Sequence, residues 1–497
     1  MDGRRKERVL VVGGGLGGLS AAAGLAAEGF AVELFEKNDK LGGKLNTKTV
    51  RGYSFDLGPS IFILPHYFRR PFERAGKRME DYVRFVEVAP QWRGFFEDGL
   101  TIDLHRDQAT MEREVARIGA DPAGYRAFVE YSRTLYAFAE DAYLERGADW
   151  FWEVLRGKSQ REALTGIDWF RRMDLGVRRH VKHEPLAQLL EFFVKYVGSS
   201  PYRAPALLNS LAWSQLAHGL WYVPGGMYGY ARALTRLLDE LGVQVHLDSE
   251  VATLERSGKR VTGLRLADGR TARGDLVVCN MEVVPAYRRL LGETGPLLKA
   301  HEYALAPAAS GLVLDLGVDC RYPQLAHHNF FYSADPRRFL HQIHVEHRLP
   351  DDPTLYVVCA TRSDDTIAPP GCDVIKVLPH IPCVQDPPFA AAAYDALKQR
   401  VLDKLERMGL RDLRKHVVVE DVLLPEDLQR MYLTNRGAIY GAVSDRTRNM
   451  AFKAPKRSLL CDNLYFVGGT VNPGPGTPMV VLCGQKLTDA VLADLQP

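Results

Sequence analysis

The residues best suited to chemistry lie near the start of the chain, where a glycine-rich turn precedes an acidic side chain. Gly13, Gly15 and Gly18 form the pattern Gly-x-Gly-x-x-Gly, and Glu36 follows the last of them by 18 positions. Glycines in this pattern let the backbone turn sharply and approach a pyrophosphate, and a carboxylate at this distance can hold a ribose 2′-hydroxyl. The pattern therefore predicts a dinucleotide site.

The elements predicted around this turn are those that such a site needs. Residues 8–12 are apolar and β-branched, residues 19–28 are rich in alanine and leucine, and residues 31–35 read as a second strand that ends at Glu36. The start of the intervening helix offers free N–H groups and a positive dipole end to phosphates. A Gly-x-Gly-x-x-Gly pattern alone is weak, but the strand, turn, helix and second strand together predict a Rossmann-like α/β fold.

Four further segments resemble sequence motifs of the superfamily of FAD-binding amine oxidases and phytoene desaturases. Within that superfamily, they resemble those of the carotenoid desaturases and related carotenoid oxidases. They are a Gly-Gly-basic run at 42–44, an Asp-x-Gly-Pro run at 56–59, a Pro-Gly-Gly-Met run at 224–227, and a Gly/Pro-rich run at 468–479. Most members of the superfamily carry arginine where this chain has Lys44, which keeps the charge but loses the bidentate fork. The resemblance covers nearly the whole chain.

The resemblance implies FAD as the cofactor, with Lys44 near its phosphates, Val251 at the adenine and the C-terminal loop beside the isoalloxazine. The cofactor-binding residues predicted in this way are Gly13, Gly15, Gly17, Gly18, Glu36, Lys37, Gly43, Lys44, Gly58, Pro59, Ser60, Val251, Gly469, Pro478 and Met479. Asp56 and Tyr440 are catalytic candidates, because their loops are expected to approach the flavin. No metal site is predicted, since the adjacent pair His327 and His328 has no third ligand at helical spacing.

Flavin contacts at both ends of the chain imply one FAD-binding domain that is interrupted twice. We predict that it consists of residues 1–80, 221–282 and 431–497. Residues 81–220 are expected to form a helical region for substrate and membrane association, and residues 283–430 a substrate-binding domain. The predicted fold class is therefore a Rossmann-like α/β domain with an inserted α+β substrate domain.

Composition argues against several other classes of protein. The 497 residues are 46% apolar and 25% charged, which is ordinary for a globular protein, and the net charge of +3 does not favour nucleic-acid binding. Seven scattered cysteines without a Cys-x-x-Cys pair favour free thiols in a reducing compartment. The longest stretch without a charge, 204–231, is interrupted by prolines and polar residues, so no spanning helix is predicted.

A basic stretch that contains tryptophan indicates a surface for anionic lipid. Between Gly157 and His183 there are seven Lys and Arg residues against three Asp and Glu residues, and Trp150, Trp152 and Trp169 lie in or beside this stretch. Basic and aromatic side chains together are typical of segments that lie in a membrane interface. A solvated helix face with core aromatics would give the same pattern. We predict a cytoplasmic protein attached peripherally to the membrane, with both interpretations of the stretch left open.

The resemblance implies an FAD-dependent oxidoreductase that acts on a long acyclic carotenoid or precursor. The expected reaction is desaturation of a phytoene- or dehydrosqualene-type polyene by hydride transfer to flavin, with oxygen or a quinone as final acceptor. Residues 437–441 and 472–480 look closer to relatives that act on C30 or already unsaturated chains, among them oxidases that convert a terminal methyl group to an aldehyde. Two alternatives stay open: a flavin amine oxidase, with Cys483 available for a covalent flavin link, and a non-enzymatic escort protein.

Overall fold

The computed structural model describes residues 7–155, 168 and 170–496. The predicted residues Lys158, Arg161, Glu162 and Trp169 of the basic stretch lie outside the described residues. The strands are β1 (Arg8–Val12), β2 (Ala31–Phe35), β3 (Thr47–Val50), β4 (Tyr53–Asp56), β5 (Val86–Glu87), β6 (Trp92–Phe95), β7 (Thr101–Leu104), β8 (Trp221–Tyr222), β9 (Gln244–His246), β10 (Val251–Ser257), β11 (Arg260–Leu266), β12 (Thr271–Arg273), β13 (Leu276–Cys279), β14 (Ser310–Gly311), β15 (Val313–Val318), β16 (His328–Phe331), β17 (Leu355–Val358), β18 (Asp373–Ile381), β19 (Val417–Leu423) and β20 (Leu464–Phe466).

The α-helices lie between groups of these strands along the chain. They are α1 (Leu16–Ala27), α2 (Pro65–Arg74), α3 (Gln108–Arg117), α4 (Pro122–Ala139), α5 (Phe151–Leu155), α6 (Met173–His180), α7 (Glu184–Glu191), α8 (Ser210–His218), α9 (Gly229–Glu240), α10 (Val283–Leu290), α11 (Pro296–Ala304), α12 (Pro336–His344), α13 (Ala391–Arg407), α14 (Leu413–His416), α15 (Pro425–Tyr432) and α16 (Thr477–Leu495). A π-helical turn, Glu140–Glu145, continues α4, and a 3₁₀ helix, Phe192–Val197, continues α7.

A parallel sheet of five strands joins the two ends of the chain. Its order is β20-β13-β1-β2-β9, and every neighbouring pair is parallel. The central strand β1 is buried along most of its length, as a near-continuous apolar run in a parallel sheet should be. The predicted Rossmann-like α/β fold is confirmed.

Helix α1 packs on this sheet, and α16 packs closely on α1. The hydroxyl of Ser20 donates to the carbonyl oxygen of Val481 at 2.7 Å. A Cβ on Gly484 would lie 2.6 Å from that of Ser20, and a Cβ on Gly24 would overlap the side chain of Thr488. Small residues on both helices therefore permit the contact that fixes the last helix of the chain against the first.

A second, mixed sheet of eight strands lies beside the first. Its order is β19-β15-β18-β17-β16-β6-β7, and β14 pairs with β18 outside this path. Strands β6 and β7 come from residues 81–220, which the sequence predicted to be helical. The stretch is therefore not helical throughout, because β6 finds a parallel partner in β16, far along the chain. The division into domains stays a prediction.

The remainder of residues 81–220 is largely helical and packs against the parallel-sheet part of the protein. Tyr136 and Leu144 are buried together with Ile63, Tyr67 and Leu482, which belong to the N- and C-terminal parts of the chain. Within the described part of the chain, no helix combines the length and apolarity needed to cross a bilayer.

Candidate active site

One large cavity of about 510 Å³ lies between the two sheets. Its wall begins at Gly13 and Glu36, at the carboxyl ends of β1 and β2, and extends to Tyr356 of β17 and Leu378 of β18. Ligands of open α/β sheets bind in a crevice at the carboxyl ends of the strands. The cavity therefore continues from a predicted nucleotide site to a largely apolar chamber.

The glycine-rich turn forms a tight cradle at one end of this cavity. A Cβ on Gly18 would overlap the carbonyl oxygen of Gly13, and one on Gly43 would lie 2.9 Å from the Cα of Gly15. The amide of Gly18 donates to the side-chain Oδ1 of Asn280 at 2.6 Å. Side chains are thus excluded where the backbone must come close to a ligand, as a pyrophosphate site requires.

Asn280 was not among the predicted cofactor contacts. It follows β13, which is parallel to β1 and adjacent to it. It lines the cavity beside Gly15, since the Cβ of an alanine at that position would lie 3.2 Å from its Oδ1. The sequence did offer a signal for Asn280. It directly follows a predicted buried strand, and the carboxyl ends of neighbouring parallel strands meet at one edge of a sheet.

Glu36 is fixed in orientation at this edge. It is buried, and its carboxylate accepts hydrogen bonds from the amide of Gly14 at 2.7 Å and from the amide and side chain of Asn38 at 2.9 Å and 2.7 Å. These donors hold the carboxylate in one orientation. Glu36 lines the cavity, where a ribose hydroxyl would donate a further hydrogen bond to its carboxylate.

The two predicted basic contacts differ in their surroundings. The ammonium of Lys44 donates to the carbonyl oxygens of Ala438 and Ile439, at 3.2 Å and 2.9 Å, and lies 3.5 Å from a carboxylate oxygen of Glu282. Burial raises the pKa of Glu282. The ammonium of Lys37 donates to the carbonyl oxygen of Arg430 at 2.9 Å in an exposed position. Lys44 thus holds the 438–439 segment against the cradle, whereas Lys37 lies at the rim.

Most of the predicted cofactor-binding residues line this one cavity. Those in its wall are Gly13, Gly15, Glu36, Lys37, Gly43, Lys44, Gly58, Pro59, Ser60, Val251, Gly469, Pro478 and Met479. Gly17 and Gly18 lie behind the wall, where a Cβ on Gly17 would lie 3.2 Å from the backbone of Gly468. The two therefore permit close packing rather than direct contact, and the binding role of each residue stays a proposal.

The C-terminal loop is held in place by Asn472. Its Oδ1 accepts from the hydroxyl of Tyr143 and the amide of Lys453, both at 2.7 Å, and its Nδ2 donates to the carbonyl oxygen of Asp149 at 3.0 Å. Asp149 in turn forms a buried ion pair with Lys456 at 2.6 Å. Residues 81–220 thus fix the loop that leads into the first turn of α16, where Pro478 and Met479 line the cavity.

The two catalytic candidates occupy different places. Tyr440 lines the large cavity, and its hydroxyl lies 3.0 Å from Nε2 of His380. Asp56 instead borders a separate cavity of about 20 Å³, together with Asp315 and Lys376. Its Oδ1 accepts from the amide of Met227 at 2.9 Å, and burial raises its pKa to about 6. This position does not favour direct catalysis by Asp56, because the 57–60 segment separates it from the large cavity.

Lys376 connects the two cavities. Its ammonium donates to the carbonyl oxygen of Asp56 at 2.7 Å, to the carbonyl oxygen of Gly58, and to the hydroxyl of Ser60 at 3.4 Å. Lys376 thereby fixes the segment that carries Gly58, Pro59 and Ser60. Sequence reasoning missed this residue, because a lysine in the middle of a strand gives no local signal of such a role.

The prediction of no metal site stays a prediction. His327 and His328 are buried, and their Nδ1 atoms lie 2.7 Å from the hydroxyl of Ser363 and 2.9 Å from that of Tyr356. Among the described residues, one group has the spacing for a shared ion, namely Asp319, Cys320 and His416. This group does not line the large cavity.

A glycine cradle, a buried carboxylate and an adjoining apolar chamber fit FAD, and the fold and site together define a flavin-dependent oxidoreductase. The family model of flavin-containing amine oxidoreductases matches residues 16–485, and the chain belongs to this family. The predicted FAD cofactor and the class of enzyme are confirmed. Cys483 lies buried within α16 and does not line the cavity, so its position does not favour a covalent flavin link.

Curated relatives match over the full length of the chain. It is 51% identical over 498 residues to a 4,4′-diapolycopene oxygenase of Methylomonas sp., with 100% of both chains covered. It is 43% identical to a 4,4′-diaponeurosporene oxygenase of Staphylococcus haemolyticus, with 98% of this chain and 97% of the relative covered. The resemblance to carotenoid-modifying enzymes is confirmed.

Solved structures share the fold at low sequence identity. A putrescine oxidase bound to putrescine has a TM-score of 0.67 at 14% identity, with 98% of this chain and 99% of that chain covered. An oxidoreductase from Methanosarcina mazei has a TM-score of 0.64 at 16% identity, with 97% of this chain and 100% of that chain covered. These likenesses show the fold alone.

Proposed function

We propose that the protein oxidises the end of a long acyclic C30 carotenoid, converting a terminal methyl group to an aldehyde. The observation that carries this proposal is the full-length 51% identity to an enzyme named for 4,4′-diapolycopene. The cavity supports it, because its wall beyond the flavin cradle is lined mainly by aliphatic and aromatic side chains. Such a chamber suits an extended hydrocarbon.

The residues of this chain bind and orient the reactants. Bound FAD supplies a hydride acceptor, and the cradle at Gly13–Gly18 with Glu36 would hold it. Leu378, Ile439 and the aromatic wall exclude water from the chamber and align the polyene. With molecular oxygen as oxidant the reaction balances, since one methyl group and one O₂ give one aldehyde and one water.

Desaturation, the reaction first expected from the sequence, is the second candidate. It uses the same chamber and the same cofactor chemistry. The names of the two relatives favour oxidation of the chain end, which was the alternative left open by residues 437–441 and 472–480. The final electron acceptor, oxygen or a quinone, stays part of the proposal.

We further propose that the protein docks on a membrane surface to collect its substrate. Trp152 and Phe170 expose 50% and 77% of their surface, and Tyr303 exposes 61%. Phe170 and Tyr303 lie beside the segment 446–452, since Arg446 donates to the carbonyl oxygen of Phe170 at 2.6 Å and Arg448 to that of Tyr303 at 3.2 Å. Phe151, the neighbour of Trp152 in the chain, contacts the ring of Phe452 of the same segment. Met450 and Phe452 of this segment line the cavity, so the aromatic patch lies beside its wall.

Charge at this patch also suits an anionic surface. Among the described residues, Arg446 and Arg448 form no ion pair with a carboxylate, and the Arg448 guanidinium lies 5.0 Å from the centre of the Tyr303 ring. Exposed aromatic and cationic side chains together are typical of interfacial binding. This observation favours the lipid-surface interpretation over a solvated helix face.

The test is to supply the FAD-loaded protein with 4,4′-diapolycopene, 4,4′-diaponeurosporene and phytoene in separate detergent-solubilised assays. We expect a gain of fourteen mass units for each oxidised end, with oxygen consumed, and none from the Gly15→Ala variant. Loss of two mass units per step would replace the proposal with desaturation. Product formed under nitrogen with an added quinone would assign the acceptor instead to the quinone, with water as the source of the aldehyde oxygen and two quinones reduced per aldehyde. No change in any polyene would contradict the proposed function.

A further inference from the structure

Lys195 is a buried amine enclosed by aromatic rings in the cavity wall. It lies in the 3₁₀ helix Phe192–Val197 and exposes 6% of its surface. Its Nζ lies 4.7 Å from the ring centre of Trp92, 4.4 Å from that of Tyr196, 4.8 Å from that of Phe330 and 4.6 Å from that of Tyr356. The residue lines the large cavity.

Lys195 differs from the other buried lysines in having no polar partner. Lys404 pairs with Asp352 at 2.6 Å, Lys456 pairs with Asp149, and Lys453 donates to the carbonyl oxygen of Val443 at 2.8 Å. Among the described residues, the amine of Lys195 neither donates a hydrogen bond nor lies within 4.0 Å of a carboxylate. A buried polar group without a partner carries a cost in folding free energy, so its presence indicates a function.

The surroundings of Lys195 connect it to the flavin end of the cavity. A Cβ on Gly198, three residues later, would overlap the ring of Tyr440. A Cβ on Gly441 would lie 3.4 Å from the backbone of Gly469, in the loop expected beside the isoalloxazine. Tyr440 bridges these contacts, and its hydroxyl contacts His380. The segment that carries Lys195 therefore packs, through Tyr440, against the loop expected beside the isoalloxazine, where a substrate end would react.

Several other polar groups in the wall are already engaged, although the hydroxyl of Thr434 is not. The hydroxyl of Ser214 donates to the carbonyl oxygen of Leu211 at 2.7 Å, and that of Tyr143 donates to Asn472. The ammonium of Lys453 also donates to the hydroxyl of Ser444 at 2.9 Å. Lys195 thus offers an unused N–H donor to a molecule in the chamber. Burial lowers its pKa well below the usual value, but a primary amine carries N–H donors in either protonation state.

We propose that Lys195 is an end-group site that donates a hydrogen bond to an oxygen atom on the terminus of a long apolar substrate. The inference rests on the proposed function and deepens it. A hydrocarbon end makes no such bond, whereas an alcohol or aldehyde oxygen accepts one. Lys195 therefore selects the partly oxidised chain and holds it for completion of the oxidation, while the aromatic rings contact the polyene in both cases.

The test compares two ligands of equal chain length, the hydrocarbon 4,4′-diapolycopene and its monoaldehyde. In the wild-type protein we expect the aldehyde to bind about tenfold more tightly than the hydrocarbon. The visible absorption of the aldehyde should also shift to longer wavelength when it binds. Lys195→Met, which keeps an unbranched side chain without a donor, should remove both effects and leave the affinity for the hydrocarbon unchanged. Lys195→Arg should retain the preference for the aldehyde. With turnover, Lys195→Met should accumulate alcohol at the expense of aldehyde.

Lys398→Met, at a partly exposed position of α13 outside the cavity, is the matched control and should bind both ligands as wild type does. Equal loss of affinity for both ligands in Lys195→Met would assign the lysine a structural role and overturn the proposal. A wild-type protein that binds the aldehyde no more tightly than the hydrocarbon would overturn it without any variant, even if Lys195→Met failed to fold. A wild-type protein that binds neither polyene would contradict the proposed function itself.

Discussion

Gly15 and Gly18 belong to one turn, but their missing side chains serve different purposes. A Cβ on Gly18 would overlap the Gly13 carbonyl oxygen, so Gly18→Ala should lower the free energy of unfolding by about 1–3 kcal/mol through overpacking. Gly15 has a φ of −71°, which alanine adopts, and its Cβ would lie 3.2 Å from Asn280. Gly15→Ala should therefore fold normally yet bind FAD at least tenfold more weakly. Thermal unfolding and flavin titration of both variants check this, and normal FAD affinity of Gly15→Ala would contradict it.

Asp315 should make stability depend on pH. It is fully buried in β15, neither carboxylate oxygen has a hydrogen-bond partner among the described residues, and burial raises its pKa to about 7. An unfolded aspartate takes up its proton only near pH 4, so the folded state binds more protons between about pH 4 and 7. The contribution of Asp315 to stability is therefore present below about pH 4 and is lost as the pH rises to about 7.

Asp315→Asn should flatten this dependence. Urea unfolding at pH 5 and pH 8 should show a smaller difference in unfolding free energy for Asp315→Asn than for wild type. Asp395→Asn, at an exposed position on α13, is the control and should match wild type. An unchanged pH difference in Asp315→Asn would show that other groups cause it.

The sequence predicted the site residues that belong to a local motif. It did not predict those whose role depends on side chains far away in the sequence. Glu36 and the cradle glycines stand at fixed spacings within a short stretch of sequence, and their position in the cavity wall or behind it follows from that spacing. Lys195 gives no such signal, because its aromatic neighbours come from β6, β16 and β17 as well as from Tyr196. Asp56 was named from its loop alone, and the structure places its side chain on the other side of that loop.

At the scale of elements, the loop before α16 depends on one amide side chain. Asn472→Ala would leave the hydroxyl of Tyr143 and the amide of Lys453 without their shared acceptor. Each buried group left unpaired costs about 1–3 kcal/mol, so for the two groups we expect a loss of about 2–6 kcal/mol in unfolding free energy, together with weaker FAD binding. Chemical denaturation and flavin titration measure the two effects.

Tyr143→Phe is the matched control for this prediction. It removes one of the bonds to Asn472 and keeps the ring in place, so it should cost about 1 kcal/mol and leave FAD affinity nearly unchanged. Equal behaviour of the two variants would show that Asn472 does not position the loop.

Element prediction succeeded where residues close in sequence also pair in space. Strands β1 and β2 and helix α1 follow one another directly, and the sequence predicted all three. Strand β6 meets this condition on one side only: β7, its antiparallel neighbour, follows it directly, but its other neighbour, β16, lies more than two hundred positions later, where Phe330 stands opposite Gly94. The four residues of β6 and the four of β7 are too short for a periodic pattern to identify them without that partner.

At the scale of the whole molecule, the exposed aromatic patch should control attachment to lipid. The double variant Trp152→Ser/Phe170→Ser should reduce by at least tenfold the fraction of protein that floats with vesicles containing anionic lipid, because it removes apolar surface that would enter the interface. Raising the salt concentration should weaken wild-type flotation through screening of Arg446 and Arg448. Enzyme activity in detergent should be retained.

Val418→Ser, at an exposed position of β19 that is 40% accessible, is the control and should float as wild type does. Flotation of the double variant equal to that of wild type would place the lipid contact elsewhere. Failure of the wild-type protein to bind anionic vesicles would contradict docking altogether.

The contact between α1 and α16 determines when, during synthesis on the ribosome, the flavin site can form. Ser20 and its partner Val481 are 461 positions apart, so at about 5–20 residues per second the ribosome needs roughly 25–90 s to deliver the second after the first. Until then, β1 and its glycine-rich turn lack both β20, which completes the sheet, and α16, which packs on α1. A nascent or prematurely terminated chain that lacks α16 should therefore be colourless, and the yellow of bound flavin should mark only molecules whose synthesis has passed Leu495.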